Sequence, residues 1–520
     1  MTLSIEGSAN CLALPPPAWR LLLSLAVLKL ALHVASTVMI GYGYSADELY
    51  FLDCSNRLAW GYVDHPPFSI AALGAVRAVL GDSLLALRFT AALAGATAIV
   101  LAGLMSRELG GGRAAQGLAG LAVLVSPVVL FTTGYYSMNA IDLAVWTLAA
   151  YLLLRLLNGA DPRLWLALGV VLGVGLLNKW SVIWLGMGVA VGLILTPQRR
   201  WLLTPWPWLC GLVAALVSMP NLLWQAQHHW PTLEFMRTGM GDVMAQKPPL
   251  AFMREQIRAM HPVLALLSGA GLVQYFGSPA GRPYCLLAWI WITVFLLLMS
   301  SGAARPYYLA PAYPIVFAAG ALAVERLARR RRWRWLPAAT AALIVVAGAF
   351  SAPFALPVLR PERFLAYERT LGMSRLQTEF DEGAMPPQFG FQFGWYELTD
   401  AVAQAYARLS PDEQMRAGIL TETFGEAGAI NFFGSHTGLP HAIGTHNNYW
   451  LWGPEPYSGE VMLAVSSSAD RLSEWFGVVT PVQAIDCEYC MPVVRRKTVY
   501  VCRAPRRPLR EIWPQLKNYS

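Results

Sequence analysis

Apolar runs long enough to cross a bilayer recur from residue 19 to about residue 355, and nothing else in the chain constrains its fold as strongly. A segment in lipid must satisfy its backbone polar groups internally, so ~20 apolar residues in a row are read as a spanning helix. Candidate spans lie at 19–40, 83–106, 114–133, 138–157, 164–178, 181–196, 201–222, 259–276, 283–301, 307–324 and 335–354, about 11 in all. The composition agrees, with 56% hydrophobic residues, 13% charged residues and a mean hydropathy of +0.44. The first run is longer than a signal-peptide core and lacks a basic lead-in before Arg20, so it is expected to stay as a span.

Charge orients these spans. Arg107 and Arg113, Arg155 and Arg163, Arg199 and Arg200, Arg282, and the six arginines of RLARRRRWRW (326–335) fall in alternate loops. The positive-inside rule makes that side cytoplasmic. Loops 41–82, 134–137, 223–258 and 302–306 then face outward. Arginines on both flanks of 164–196 argue for a hairpin with Lys179 at its outward tip. The formal net charge of +8 is explained by these loops, and no basic surface of the kind nucleic acid requires remains.

Beyond Pro357 the chain is mixed and polar, with strand-like VMLAV (461–465) and TVYVC (498–502). Two domains are expected. Residues 1–356 form the transmembrane part with outward loops 41–82 and 223–258, and 357–520 form a soluble α/β or α+β domain on the outer face. Cys487, Cys490 and Cys502 cluster near the C-terminal end, where an oxidising compartment favours one disulfide involving Cys502.

The first outward loop, from Gly41 to Leu73, is aromatic and acidic. Asp47, Glu48, Asp53 and Asp64 are joined there by His65, and residues 47–58 suit a short interfacial helix. Two readings stand side by side: a helix capped by Ser45 whose dipole Asp47 and Glu48 favour, or an acidic catalytic site. Asp142, a few residues into a span, is costly in lipid and is therefore a functional candidate. Lys179 and Arg305, at outward ends of spans, are suited to phosphate oxygens, and Tyr308 follows closely. His228 and His229 lie beside Glu234, and histidines with carboxylates from separate loops leave a divalent cation open as a cofactor, with His65 and His229 the candidate ligands.

ADELYF (46–51) followed by GYVDHPP (61–67) resembles the first periplasmic loop of the family 39 polyprenyl-phosphate-sugar glycosyltransferases of the GT-C class. That class includes protein O-mannosyltransferases and the transferases that add aminoarabinose to lipid A. RPYYLAPAYP (305–314) resembles the family's late-span signature, and FGEAGAINFFG (424–434) and HNNYWLWGP (446–454) resemble the tail of bacterial members. The resemblance implies a multi-pass protein of the bacterial inner membrane whose active site and C-terminal domain face the periplasm. Its donor is a sugar on a polyprenyl phosphate, its acceptor an envelope glycolipid, glycan or protein, and transfer inverts the anomeric carbon. Asp47 falls on the position of the base, Glu48 on its helper and Asp142 on a further acidic residue, while Lys179, Arg305 and Tyr308 hold the donor phosphate. Where the aminoarabinose transferases carry a lysine in the loop motif, this chain has His65.

A multispan transporter or lipid-linked-sugar flippase is the rival reading. Transporters show repeated halves and helices broken at mid-membrane, whereas here no repeat is evident and the polar residues gather on one face. A non-enzymatic assembly factor would leave the acidic loop unexplained.

Overall fold

The computed structural model describes residues 14–238, 247–302, 304–372 and 383–520. Its N-terminal part is helical throughout: α1 (Trp19–Met39), α2 (Ala46–Ser55), α3 (Phe68–Leu80), α4 (Leu84–Glu108), α5 (Arg113–Val125), α6 (Pro127–Thr132), α7 (Met138–Leu157), α8 (Leu164–Asn178), α9 (Val182–Leu195) and α10 (Trp206–Gln227). Further long helices cover Arg282–Ser301, Pro306–Arg331 and Leu336–Phe354.

Each expected span is helical, but the count of eleven is not reached. Among the described residues seven helices are long and apolar enough to cross a membrane, or up to nine if each of two bent pairs is one span. The shortfall has a physical cause. At 1.5 Å per residue, helices α5 and α8, with 13 and 15 residues, reach only ~20–23 Å of a ~30 Å hydrocarbon core. One bent pair breaks by 109° at His261, which sits at φ 65°, between Pro249–Met260 and Pro262–Gly277.

A break at 179–181 divides α8 from α9 where the flanking arginines suggested a hairpin tip, and glycines pack the two arms against longer helices. A Cβ on Gly169 would lie 2.7 Å from the Cys210 carbonyl oxygen of α10, and one on Gly192 would lie 2.9 Å from the Leu286 carbonyl oxygen. Small residues at four-residue spacing (Gly169 and Gly173, Gly188 and Gly192) let backbones approach where lipid supplies no hydrophobic drive. On the opposite end from the acidic loop, buried Glu325 accepts from the backbone N–H groups of Gly112 (3.1 Å) and Ala115 (2.7 Å), satisfying the first turn of α5.

The C-terminal part carries β1 (Ala417–Thr421), β2 (Ala442–Gly444), β3 (Val461–Ser466), β4 (Phe476–Ala484) and β5 (Thr498–Pro505) in the order β2-β1-β3-β5-β4. β1 pairs in parallel with β2 and β3, and β5 is antiparallel to both β3 and β4. Alternation along β5 sends Val499 and Val501 to one core and Tyr500 and Cys502 to the other. Cys487 and Cys490 belong to the core on the Val499 side, so the expected disulfide with Cys502 is corrected: the sheet lies between them. All six described cysteines are free.

The sheet's first core also takes in α2 of the acidic loop. The helix Phe424–Phe433 lies directly on it, so closely that a Cβ on Gly428 would be 2.8 Å from the Leu49 carbonyl carbon. Buried Asp53 ties the two together, accepting from Tyr449 Oη at 2.6 Å and Asn431 Nδ2 at 2.8 Å. Hydrogen bonds to a charged acceptor are worth ~1.5–3 kcal/mol each, so this contact fixes α2 from the outside.

Candidate active site

Helix α2 begins with a capping box. Ser45 Oγ accepts from the Glu48 backbone N–H (3.3 Å), and the Glu48 carboxylate accepts from the Ser45 backbone N–H (2.8 Å). The fully buried Glu48 also receives Arg88 Nε and Nη2 in a bidentate pair, both at 3.0 Å, and the Tyr136 backbone N–H at 2.9 Å. Its oxygens are thus committed to holding α2, α4 and the 133–137 turn together. Of the two readings of the acidic pair, Glu48 has the geometry of the cap.

Asp47, one residue earlier, has a different environment. It is half-buried, and enclosure by the protein followed by the charge of Asp64 raises its carboxyl from the ordinary value to about 6. Arg305 opposes that rise, and Glu48 adds to it. Asp64 comes from the far end of the same loop and accepts from Tyr50 Oη at 2.8 Å. Two carboxylates therefore act on one space. Tyr135 stands there as well, its hydroxyl held protonated by burial and then by the charge of Asp47. Sequence reasoning placed Asp64 in the acidic loop and in the GYVDHPP run without giving it a role; Tyr135 was not singled out, and its only signal was its place in an outward-facing loop.

Asp142, Lys179, Arg305 and Tyr308 converge. Lys179 Nζ donates to Asn139 Oδ1 (2.6 Å), lies 3.9 Å from Asp142 Oδ2 and sits over the Tyr308 ring, 5.0 Å from its centroid. Asp142 is fully buried in α7 and accepts from Ser181 Oγ at 2.7 Å, so it anchors both the lysine and the 179–181 break. Arg305 donates to Tyr307 Oη (3.2 Å) and is near enough to Lys179 to repel it. Tyr308 meets the lysine with its ring face, a cation–π contact. Pro306 starts the 3₁₀ turn Pro306–Ala312 that sets this segment.

The histidines do not join this group. His65 is fully buried, with the rings of Phe51, Tyr62 and Tyr50 at 4.7, 4.8 and 5.8 Å, and burial holds its imidazole below the usual value and therefore neutral. Its Nδ1 is 3.1 Å from the Pro66 carbonyl oxygen, and its Nε2 is 3.9 Å from Asp64. His229 is exposed just past the end of α10, with φ at 61°. Among the described residues no three His, Cys, Asp or Glu side chains gather as a metal group.

The family described as dolichyl-phosphate-mannose-protein mannosyltransferase matches residues 64–224. The chain is 23% identical over 397 residues to the lipid A galacturonosyltransferase RgtD of Rhizobium johnstonii, covering 70% of this chain and 80% of that one. It is 25% identical to the undecaprenyl phosphate-alpha-4-amino-4-deoxy-L-arabinose arabinosyl transferase 1 of Pseudomonas fluorescens, over 51% of each. The crystal structure of ArnT from Cupriavidus metallidurans bound to undecaprenyl phosphate shares the fold, with a TM-score of 0.62 at 14% identity over 93% of this chain and 97% of that one. The chain is a multi-span membrane glycosyltransferase with the GT-C fold, similar to the aminoarabinose transferases.

Proposed function

We propose that this enzyme moves a sugar from a polyprenyl-phosphate donor to a cell-envelope acceptor at the outer face of the bacterial inner membrane, with inversion at the anomeric carbon. Support for the donor comes from the relative whose name carries undecaprenyl phosphate. The relative named for lipid A favours a glycolipid over a glycan or protein as acceptor. The outward direction is supported by charge: Arg329, Arg330 and Arg331 close the last turn of the helix that ends at Arg331, at the opposite end from Arg305.

The observation that carries the reading is a carboxyl raised to about 6 within electrostatic reach of Arg305, which in turn lies near Lys179. At neutral pH Asp47 is mostly ionised, yet basic enough to take a proton. An acceptor oxygen attacks the anomeric carbon and gives its proton to Asp47. The bond from that carbon to the lipid phosphate breaks, and its electron pair stays on the phosphate oxygen. Two cations held side by side are stabilised by an anion between them, so Lys179 and Arg305 favour the departing phosphate more as its charge grows. Asp142 positions Lys179 for this, and Glu48 with Arg88 positions α2.

The test is Asp47→Asn in purified protein supplied with a polyprenyl-phosphate sugar. The transfer rate is expected to fall by ~10²–10⁴-fold, the usual worth of a positioned base, with the melting temperature unchanged. A rate equal to that of the unaltered enzyme removes Asp47 from the chemistry.

A further inference from the structure

The chain leaves β1 towards β2 and then crosses back over β1 to reach β3. In an open α/β sheet such a reversal opens a crevice beyond the carboxyl ends of the two strands, and ligands of such sheets bind there. This sheet has that crevice, a cavity of about 890 Å³, within the range of small-ligand sites. Glu422 and Thr423, just past β1, and Ser467, just past β3, line it with Arg471, Trp475 and Lys497.

Its chemistry is two-sided. Arg471, Arg496, Lys497 and Lys517 line it with Glu422 and Glu474. Glu426 and Glu234 pair Lys497 and Lys517 from behind the wall, so the exposed Arg471 is the cation most open to a ligand. Buried Lys497 is braced by Glu422 and, at 3.1 Å, by Glu426. Arg471 is exposed and only loosely paired with Glu422, at 3.6 Å. Half-buried Trp475 adds a ring face, and Thr423 and Ser467 add hydroxyls. Cations select an anionic group, while an aromatic face with hydroxyls and a carboxylate suits sugar rings. The crevice also abuts the candidate active site. Phe424, next to Thr423, stacks on Tyr50 at 4.8 Å, and Tyr50 donates to Asp64. At the rim, Lys517 donates to Glu234 (2.6 Å) of the outward segment Pro231–Thr238.

We propose that this crevice binds an anionic saccharide portion of the acceptor, apart from the site of transfer. The proposal rests on the reading of the enzyme as an envelope glycosyltransferase, and binding is measured separately from transfer. The full chain in nanodiscs is titrated with tetragalacturonate, with maltotetraose and inorganic phosphate as controls. Tetragalacturonate is expected to bind at least about tenfold more tightly than either control. Arg471→Ala, with its melting temperature unchanged, and Trp475→Ala, measured where that variant is still folded, are each expected to weaken it about tenfold or more, while Asp47→Asn leaves it unaltered. Equal binding of maltotetraose overturns the anionic class, and phosphate binding as tightly as tetragalacturonate overturns the saccharide. Unchanged affinity in both crevice variants, or loss of binding in Asp47→Asn, overturns the location. If transfer by the unaltered enzyme fails while tetragalacturonate binds as expected, the crevice stands and the functional reading falls.

Discussion

Asp47 and Glu48 are adjacent in the chain, and their surroundings could hardly differ more. Glu48 is fully buried with a bidentate arginine, two backbone N–H donors and nothing left to offer. Asp47 is half-buried, faces a second carboxylate and is raised to about 6. A buried carboxylate with every oxygen paired stabilises a fold; one held beside another negative charge stores proton affinity for use. On the function proposed above, the same turn of helix supplies both the anchor and the reactive group, and the anchor is what keeps the reactive group in place.

The contrast makes Glu48 the larger lever on stability. Glu48→Ala leaves Arg88 buried without its counter-charge and is expected to cost ~3–5 kcal/mol, read as the loss of folded protein in a thermal or denaturant melt. A melt unchanged by that variant would erase the distinction between the two acids. Lys179→Met is expected to slow transfer by ~10–100-fold, equivalent to ~1.4–2.8 kcal/mol of transition-state stabilisation, with little change in melting. If the melt moves and the rate does not, Lys179 belongs with Glu48 as a structural ion. Tyr449→Phe removes one hydrogen bond to Asp53, and the expected cost is ~1.5–3 kcal/mol of stability. The transfer rate should follow only as far as α2 loosens, which hydrogen exchange at Leu49–Cys54 would report.

The sequence carried much of this, and unevenly. The long apolar segments, the break at 179–181 and the sheet-bearing C-terminal part are all local patterns, and each was legible from periodicity, flanking arginines or strand-like runs. The number of spans was not legible in the same way, because hydropathy reports what a segment is made of and not whether its 13 or 15 residues reach across the bilayer. The site divided in the same way. Asp142 and Lys179 stood out because charge is rare in apolar helices. Arg88, 40 residues from Glu48, gave no local sign of its partner, and neither did the meeting of Asp64 with Asp47 or the placing of Cys502 across the sheet from Cys487. Those facts belong to contacts made only when the loop, the bundle and the sheet close on one another.

The central claim is that Asp47 works as a base whose affinity for protons is set by burial and by Asp64. Its most direct test is the pH dependence of kcat/KM for the unaltered enzyme and for Asp64→Asn, from about pH 4.5 to about pH 8. The rate of the unaltered enzyme is expected to fall as the pH drops through about 6, approaching tenfold per unit on the acid side as Asp47 takes up its proton. In Asp64→Asn one negative charge is gone, so the midpoint moves down towards the ordinary carboxylate value whatever happens to the maximal rate. A profile with no acid limb near 6, or a midpoint unmoved by Asp64→Asn, contradicts the account.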